Sequence, residues 1–179
     1  MLPLELLAPA RTLEIGIAAI DCGADAVYIA GPAFGARLAA GNSVEDIAKL
    51  CAYAHRFGAR IFVTLNTILY EEELAEARRL IGALTAAGAD GLIVQDLAVP
   101  QLAGPDCPLR LHASTQCAIR TPERLGATRR WASPGSCSSG DCPSPRCVPS
   151  ARRFRANWNS SSTEPFAYAT AGSATCPRP

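Results

Sequence analysis

Three times in its first ninety-five residues the chain repeats one short phrase: glycine, alanine, a polar residue, then an apolar run. Gly23-Ala24-Asp25 precedes Ala26-Val27-Tyr28-Ile29, Gly58-Ala59-Arg60 precedes Ile61-Phe62-Val63-Thr64-Leu65, and Gly88-Ala89-Asp90 precedes Gly91-Leu92-Ile93-Val94. Each leading glycine falls where a helix should stop in the left-handed conformation that only glycine adopts cheaply. Each apolar run is short, uniform and rich in β-branched residues, the pattern of a strand buried on both faces.

The segments between these runs read as helices. Ser43 caps one of them, with Asp46 in the capping-box position, and Ile47, Leu50, Cys51 and Ala54 then share a face. Glu71, Glu72 and Glu73 place negative charge at the start of the next, where the helix dipole favours it. Its apolar stripe is Leu74, Ala77, Ile81 and Leu84. An earlier helix over 12–22 buries Leu13, Ile17 and Ile20, and a short one around Val99 and Leu102 is cut back by Pro100. Further strands at 4–8 and 109–113 bring the number of strands to five.

Strands alternating with helices roughly every 30–35 residues imply right-handed crossovers and a parallel sheet. The expected fold is α/β, a partial (β/α)8 TIM-like barrel of the first four to five βα units. A closed barrel of this kind needs about 250 residues, and 179 are present. An open doubly wound sheet stays open as an alternative, although no G-x-G-x-x-G follows any strand.

The net charge of +1 gives no electrostatic reason to expect a polyanion or a membrane partner. No cationic leader precedes Glu5, and no apolar run is long enough to cross a bilayer, so a cytoplasmic protein with free thiols is expected. Near Arg124 the composition changes. Ser, Pro, Arg and Cys dominate afterwards and periodicity stops, which divides the chain into a half-barrel over 1–124 and an irregular, disordered tail over 125–179. Cys137, Cys142 and Cys147 in that tail lack the paired spacing and the histidines of a zinc site, so no metal site is assigned. Arg152-Arg153-Phe154-Arg155 reads as part of the same disordered stretch rather than as a nucleic-acid contact.

In barrels of this type the reactive groups gather at the carboxyl ends of the strands. Those ends carry Arg11, Arg37 and Asn42, Asn66, Gln95 and Asp96, and His112, Ser114 and Gln116. Arg37, in a glycine-flanked loop, is the best candidate for binding an anion. Asn42, Asn66, Gln95, Asp96, His112, Ser114 and Gln116 complete the candidate ligand set, and His112, Asp96 and Asn66 are the candidates for catalysis. Asn66, Gln95 and Asp96 read equally well as loop or cap residues. His112 reads first as a hydrogen-bonded structural residue and second as an acid–base group. Ser114 shows no Ser-His-Asp partnership, and His55 reads as a solvated helix residue.

Six segments, in order, carry a resemblance: Leu4-Glu5-Leu6-Leu7-Ala8-Pro9-Ala10, Gly23-Ala24-Asp25-Ala26-Val27-Tyr28, Phe34-Gly35-Ala36-Arg37 with Asn42, Val63-Thr64-Leu65-Asn66-Thr67, Val94-Gln95-Asp96-Leu97 and Leu111-His112-Ala113-Ser114-Thr115-Gln116. Over 2–124 the chain resembles the collagenase-like peptidase family U32. The resemblance implies a barrel-like domain in bacterial cytoplasmic enzymes named as peptidases. It equally implies members that hydroxylate tRNA or rRNA pyrimidines at position 5, with an iron–sulfur cluster and with prephenate supporting the reaction. RNA or peptide would be the partner. The cysteine-bearing signature of the family, Glu-x-Phe-x-x-Gly-Ala-Leu-Cys-x-x-x-x-Gly-x-Cys, is absent from this chain as written, so no cofactor is expected in it.

The signature lies within reach in another frame. Back-translating from Asn157-Trp158-Asn159-Ser160 onward and reading from the third base of each codon permits Leu-Glu-Phe-Phe-Ile-His-Gly-Ala-Leu-Cys-Val-Cys-Tyr-Ser-Gly-Gln-Cys. The same offset across 130–140 permits a sixth strand, Arg-Val-Val-Leu, with its preceding turn. Two family-like segments in one frame and in the right order imply a frameshift near 124–128. The literal chain is then expected to be an inactive piece of a U32 enzyme. Alternatives are a non-enzymatic binding module and a fragment of a phosphate-handling barrel. A half-barrel's open sheet edges would also favour self-association.

Overall fold

The computed structural model describes residues 5–36, 41–119, 121–128 and 168–170. Five parallel strands follow one another in sequence order: β1 (Glu5–Ala10), β2 (Ala26–Ala30), β3 (Arg60–Leu65), β4 (Gly91–Val94) and β5 (Arg110–Ala113). Between them run α1 (Leu13–Asp21), α2 (Val44–Arg56), α3 (Leu74–Ala86) and α4 (Ala98–Ala103), and α5 (Pro122–Thr128) follows β5. A doubly wound sheet reverses its strand order partway. This one does not, so the chain is singly wound, like a stretch of barrel wall.

The repeated glycines end their helices as the sequence indicates. Gly23, Gly58 and Gly88 take φ of +96°, +72° and +84°. Immediately after each turn a backbone N–H reaches back into the helix, as Ala24 N does to Ala19 O and Ala89 N to Leu84 O. Ser43 caps α2: its Oγ accepts from Asp46 N at 3.1 Å and donates to Asp46 Oδ2 at 2.8 Å. Glu71–Glu73 form a 3-10 turn that leads into α3, with Glu73 Oε2 accepting from Tyr70 N. All four residues expected on the inner face of α2 are buried, as are Ala77, Ile81 and Leu84 of α3; Leu74 is half-buried. In α1 only Ile20 of the three expected core residues is fully buried; Leu13 and Ile17 are half-buried and pack against the core.

One expectation needs correcting. The strands are not buried on both faces. Val27, Ile29, Ile61, Val63, Leu65, Leu92 and Val94 point to the helices and are 0% exposed, whereas on the other face only Ala26, Phe62 and Gly91 are buried and Tyr28, Ala30, Thr64, Ile93 and His112 remain half-buried. The helices cover one side, and no second layer covers the other among the described residues.

The expected boundary at 124 falls inside α5, and Tyr168–Thr170 form β6, antiparallel to β1 with Leu6 opposite Ala169. The remainder of 125–179, with Cys137, Cys142, Cys147 and Arg152–Arg155, lies outside the described residues. So do Leu4 and Arg37.

Candidate functional site

Parallel strands all end on the same side, so the loops after β1 to β5 form one rim. Polar side chains join each loop to the next. Asn42 Nδ2 donates to Arg11 O and to Ala30 O, both at 3.0 Å, and so ties the loop after β1 to the loop after β2. Asn66 Oδ1 accepts from Ala36 N at 3.0 Å, while Thr67 donates through N and Oγ1 to Phe34 O at 3.2 Å. These contacts join the second loop to the third. Asp96 joins the third to the fourth, with Oδ2 accepting from Leu69 N at 2.9 Å and Oδ1 from Ala98 N at 2.8 Å. Cys117 Sγ donates to Val94 O and Gln95 O, and Ser114 Oγ caps its own turn by accepting from Gln116 N at 3.2 Å.

Three of the sequence-derived candidates, Asn42, Asn66 and Asp96, thus hold the rim together. Their residue types suit the task, because a carboxamide or carboxylate can meet backbone groups of a loop some thirty residues away. Gln95 is half-buried and Gln116 exposed beside them, and Arg11 adds an exposed cation. Arg37 belongs to the undescribed part of the second loop.

Two features of the rim were not read from the sequence. Phe34 and Ala118 are non-glycine residues with φ of +57° and +47°, and both lie in rim loops. Such strain persists where surrounding contacts over-determine it and gathers at functional sites. Thr67 clamps the carbonyl of Phe34, and the Arg124 guanidinium donates to the carbonyl of Ala118. Ile68, Tyr70 and Leu97 are 64–68% exposed in the third and fourth loops, which makes part of the rim apolar.

His112 lies one step below the rim on the uncovered face. Its ring packs 4.7 Å from Phe62, and its Nε2 is buried without a hydrogen-bond partner among the described residues. Burial first, then the charges of Arg110 and Arg60, lowers its pKa to about 4, so the imidazole is neutral near pH 7. His55, by contrast, sits on α2 with Nε2 3.1 Å from Asp90 Oδ2, and that carboxylate also accepts from Ile61 N. It joins a helix to the start of a strand and is far from the rim.

The chemistry of the thiols is limited. Cys22, Cys51, Cys107 and Cys117 are free and stand on separate elements. Burial pushes the Cys51 thiol up to about 12 and also raises that of Cys117, so neither presents a thiolate. No group of three or more His, Cys, Asp or Glu side chains suited to a metal occurs among the described residues, which therefore do not fit an iron–sulfur cluster. Nor is any described helix long and apolar enough to cross a membrane.

A singly wound βα repeat, with its loops joined into a polar and partly apolar rim, defines an α/β protein with a parallel five-stranded sheet, consistent with part of a TIM-like barrel. The sequence profile of peptidase family U32 matches residues 11–132, and the chain belongs to that family. Over 121 residues it is 60% identical to the 23S rRNA 5-hydroxycytidine C2501 synthase of Escherichia coli, covering 68% of this chain and 18% of that protein. It is 38% identical over 117 residues to the tRNA hydroxylation protein P1 of Bacillus subtilis, covering 64% of this chain and 28% of the other. With a collagenase of Porphyromonas gingivalis it shares 34% identity over 130 residues, 72% of this chain and 31% of that one. The chain therefore spans between about a fifth and a third of the length of these relatives. Among solved structures, the U32 peptidase Mk0906 superposes with a TM-score of 0.59 at 13% identity, over 71% of this chain and 55% of that one, which is a likeness of fold.

Proposed function

We propose that this chain is part of the barrel of a cytoplasmic enzyme that hydroxylates an RNA pyrimidine at position 5, and that as written it is inactive. The observation that carries this reading is the 60% identity to the rRNA 5-hydroxycytidine synthase, against 34% to the collagenase. The rim supports it: Tyr70 offers an exposed ring on which an unstacked base can lie, with Arg11 as an exposed cation for phosphate. Peptidase chemistry lacks such support. Ser114 Oγ is engaged as a turn cap, and the half-buried thiol of Cys117 is held protonated.

Inactivity follows from the frame. The cluster cysteines of the family signature are encoded in this reading only when the frame is shifted near 124–128, so the later strands of the barrel and the cluster ligands are lost together. The experiment is to sequence the coding DNA, then express the chain as written and a frame-restored version in cells lacking the rRNA 5-hydroxycytidine synthase. The restored protein is expected to bind iron and return 5-hydroxycytidine to 23S rRNA, and the literal chain to do neither. Hydroxylation by the literal chain would overturn the inactivity. A restored protein that binds iron but modifies no RNA would overturn the assignment to RNA.

A further inference from the structure

The strand register places Ala30, Thr64, Ile93 and His112 side by side as the last row of the uncovered face before the strands end. All four are half-buried. The loop after β2 closes one end of this row: a Cβ on Gly35 would stand 3.4 Å from Thr64 Oγ1 and 3.7 Å from Ala30 Cβ. The hydrogen bond from Ala36 N to Asn66 Oδ1 holds that loop in place. At the other end His112 leans on Phe62, with the ring centroids 4.7 Å apart and the planes tilted by 58°. Thr64 and His112 stand two strand spacings apart, about 10 Å, and the apolar Ile93 lies between them as a floor.

The two ring nitrogens of His112 differ. Nε2 is enclosed without a hydrogen-bond partner; Nδ1 shares the lack of a partner among the described residues but not the enclosure. The imidazole is neutral near pH 7, so one nitrogen carries a proton and the other a lone pair. A buried N–H without an acceptor is the rarer of the two defects. The proton therefore belongs on Nδ1, and the histidine turns an uncharged hydrogen-bond donor toward the open side of the row. We propose that this row seats the target base, a cytosine taken out of its stack, with its ring on Ile93, its N3 accepting from His112 Nδ1 and its C5–C6 edge toward Thr64. Uracil carries a proton on N3 and would set donor against donor, so His112 determines which pyrimidine is accepted. The inference rests on the reading of the chain as part of an RNA pyrimidine hydroxylase.

The test uses the full chain, with His55 on α2 as an internal reference. Heteronuclear NMR of the free protein should show His112 as the Nδ1–H tautomer. Titration with cytidine should then shift the His112 ring and Ile93 methyl signals saturably and leave His55 in place. Uridine should bind about tenfold more weakly or worse, as expected for one mismatched hydrogen bond, and ribose should move neither residue. H112F should bring cytidine and uridine to equal affinity, followed through the Ile93 methyls. H112Q, whose amide can turn to donate or to accept, should do the same and is the second variant should the first fail to fold. An Nε2–H tautomer, equal shifts with ribose, or a preference for cytidine that survives in a folded His112 variant would overturn the proposal. A frame-restored protein that binds cytidine here yet modifies no RNA would overturn the RNA reading and leave the seat. A frame-restored protein carrying H112F that hydroxylates RNA at the full rate would overturn the seat and leave the RNA reading.

Discussion

At the scale of single residues, the rim is held by side chains that each reach a backbone group of a neighbouring loop, as Asn42 does with Arg11 O and Asn66 with Ala36 N. Asn42 and Asn66 stand out in the sequence as carboxamides after strands. What they bond is a backbone group in a loop that only folding brings near, so spacing alone cannot tell a ligand contact from a loop tie. The structure makes the tie testable. Asn42 is 8% exposed and gives its amide to two carbonyls. N42A should cost about 1–3 kcal/mol, the penalty for leaving buried acceptors short of a donor. N42D should cost more, because it turns a carboxylate toward those same oxygens; urea unfolding at pH 7 compares the two. His112 adds a pH dependence of known sign. Its pKa falls from 6.5 to about 4 on folding. Near pH 7 and above this costs nothing, but between about 6.5 and 4 the unfolded chain holds a proton that the folded chain refuses. Stability should therefore fall through that window by up to ~1.4 kcal/mol per pH unit. H112Q should flatten this part of the curve of unfolding midpoint against pH.

At the scale of elements, the sequence was most informative where the cause is local. Helix ends at Gly23, Gly58 and Gly88, the Ser43 cap and the buried face of α2 are all set by residues within a turn of one another, and all occur as read. The meaning of Gly91 was hidden for the opposite reason. It looks like one more small residue at the start of a strand, yet its constraint comes from two other strands. A Cβ at this position would run into the Arg110 carbonyl oxygen as well as against Phe62. Backbone cannot move aside as a side-chain tip can. G91A should therefore loosen the pairing of β4 with β5 at a cost of about 1–3 kcal/mol, the range for overpacking. It should also displace Phe62 from His112. Thermal unfolding measures the first effect and the His112 ring shift the second.

At the scale of the whole molecule, the sheet has a finished side and an unfinished one. Helices seal the face that carries Val27, Ile61 and Leu92, while Tyr28, Thr64 and Ile93 on the other stay in partial contact with water. β6 occupies the β1 edge for three residues, and β5 has no strand beyond it among the described residues. The relatives compared above are between about three and six times as long as the segment they share with this chain, and have chain to spare for covering such a face. Among the described residues no strand or helix covers it. An open face and an open edge both lower their free energy by meeting another copy. The purified chain should therefore associate as its concentration rises, measured by light scattering behind size exclusion. I93K places a charge in the middle of the open face without touching the helix side, and should move the distribution toward monomer with circular dichroism unchanged. A chain that stays monomeric at every concentration would mean that the open face is satisfied within one molecule, and with it the idea of an unfinished wall would fall.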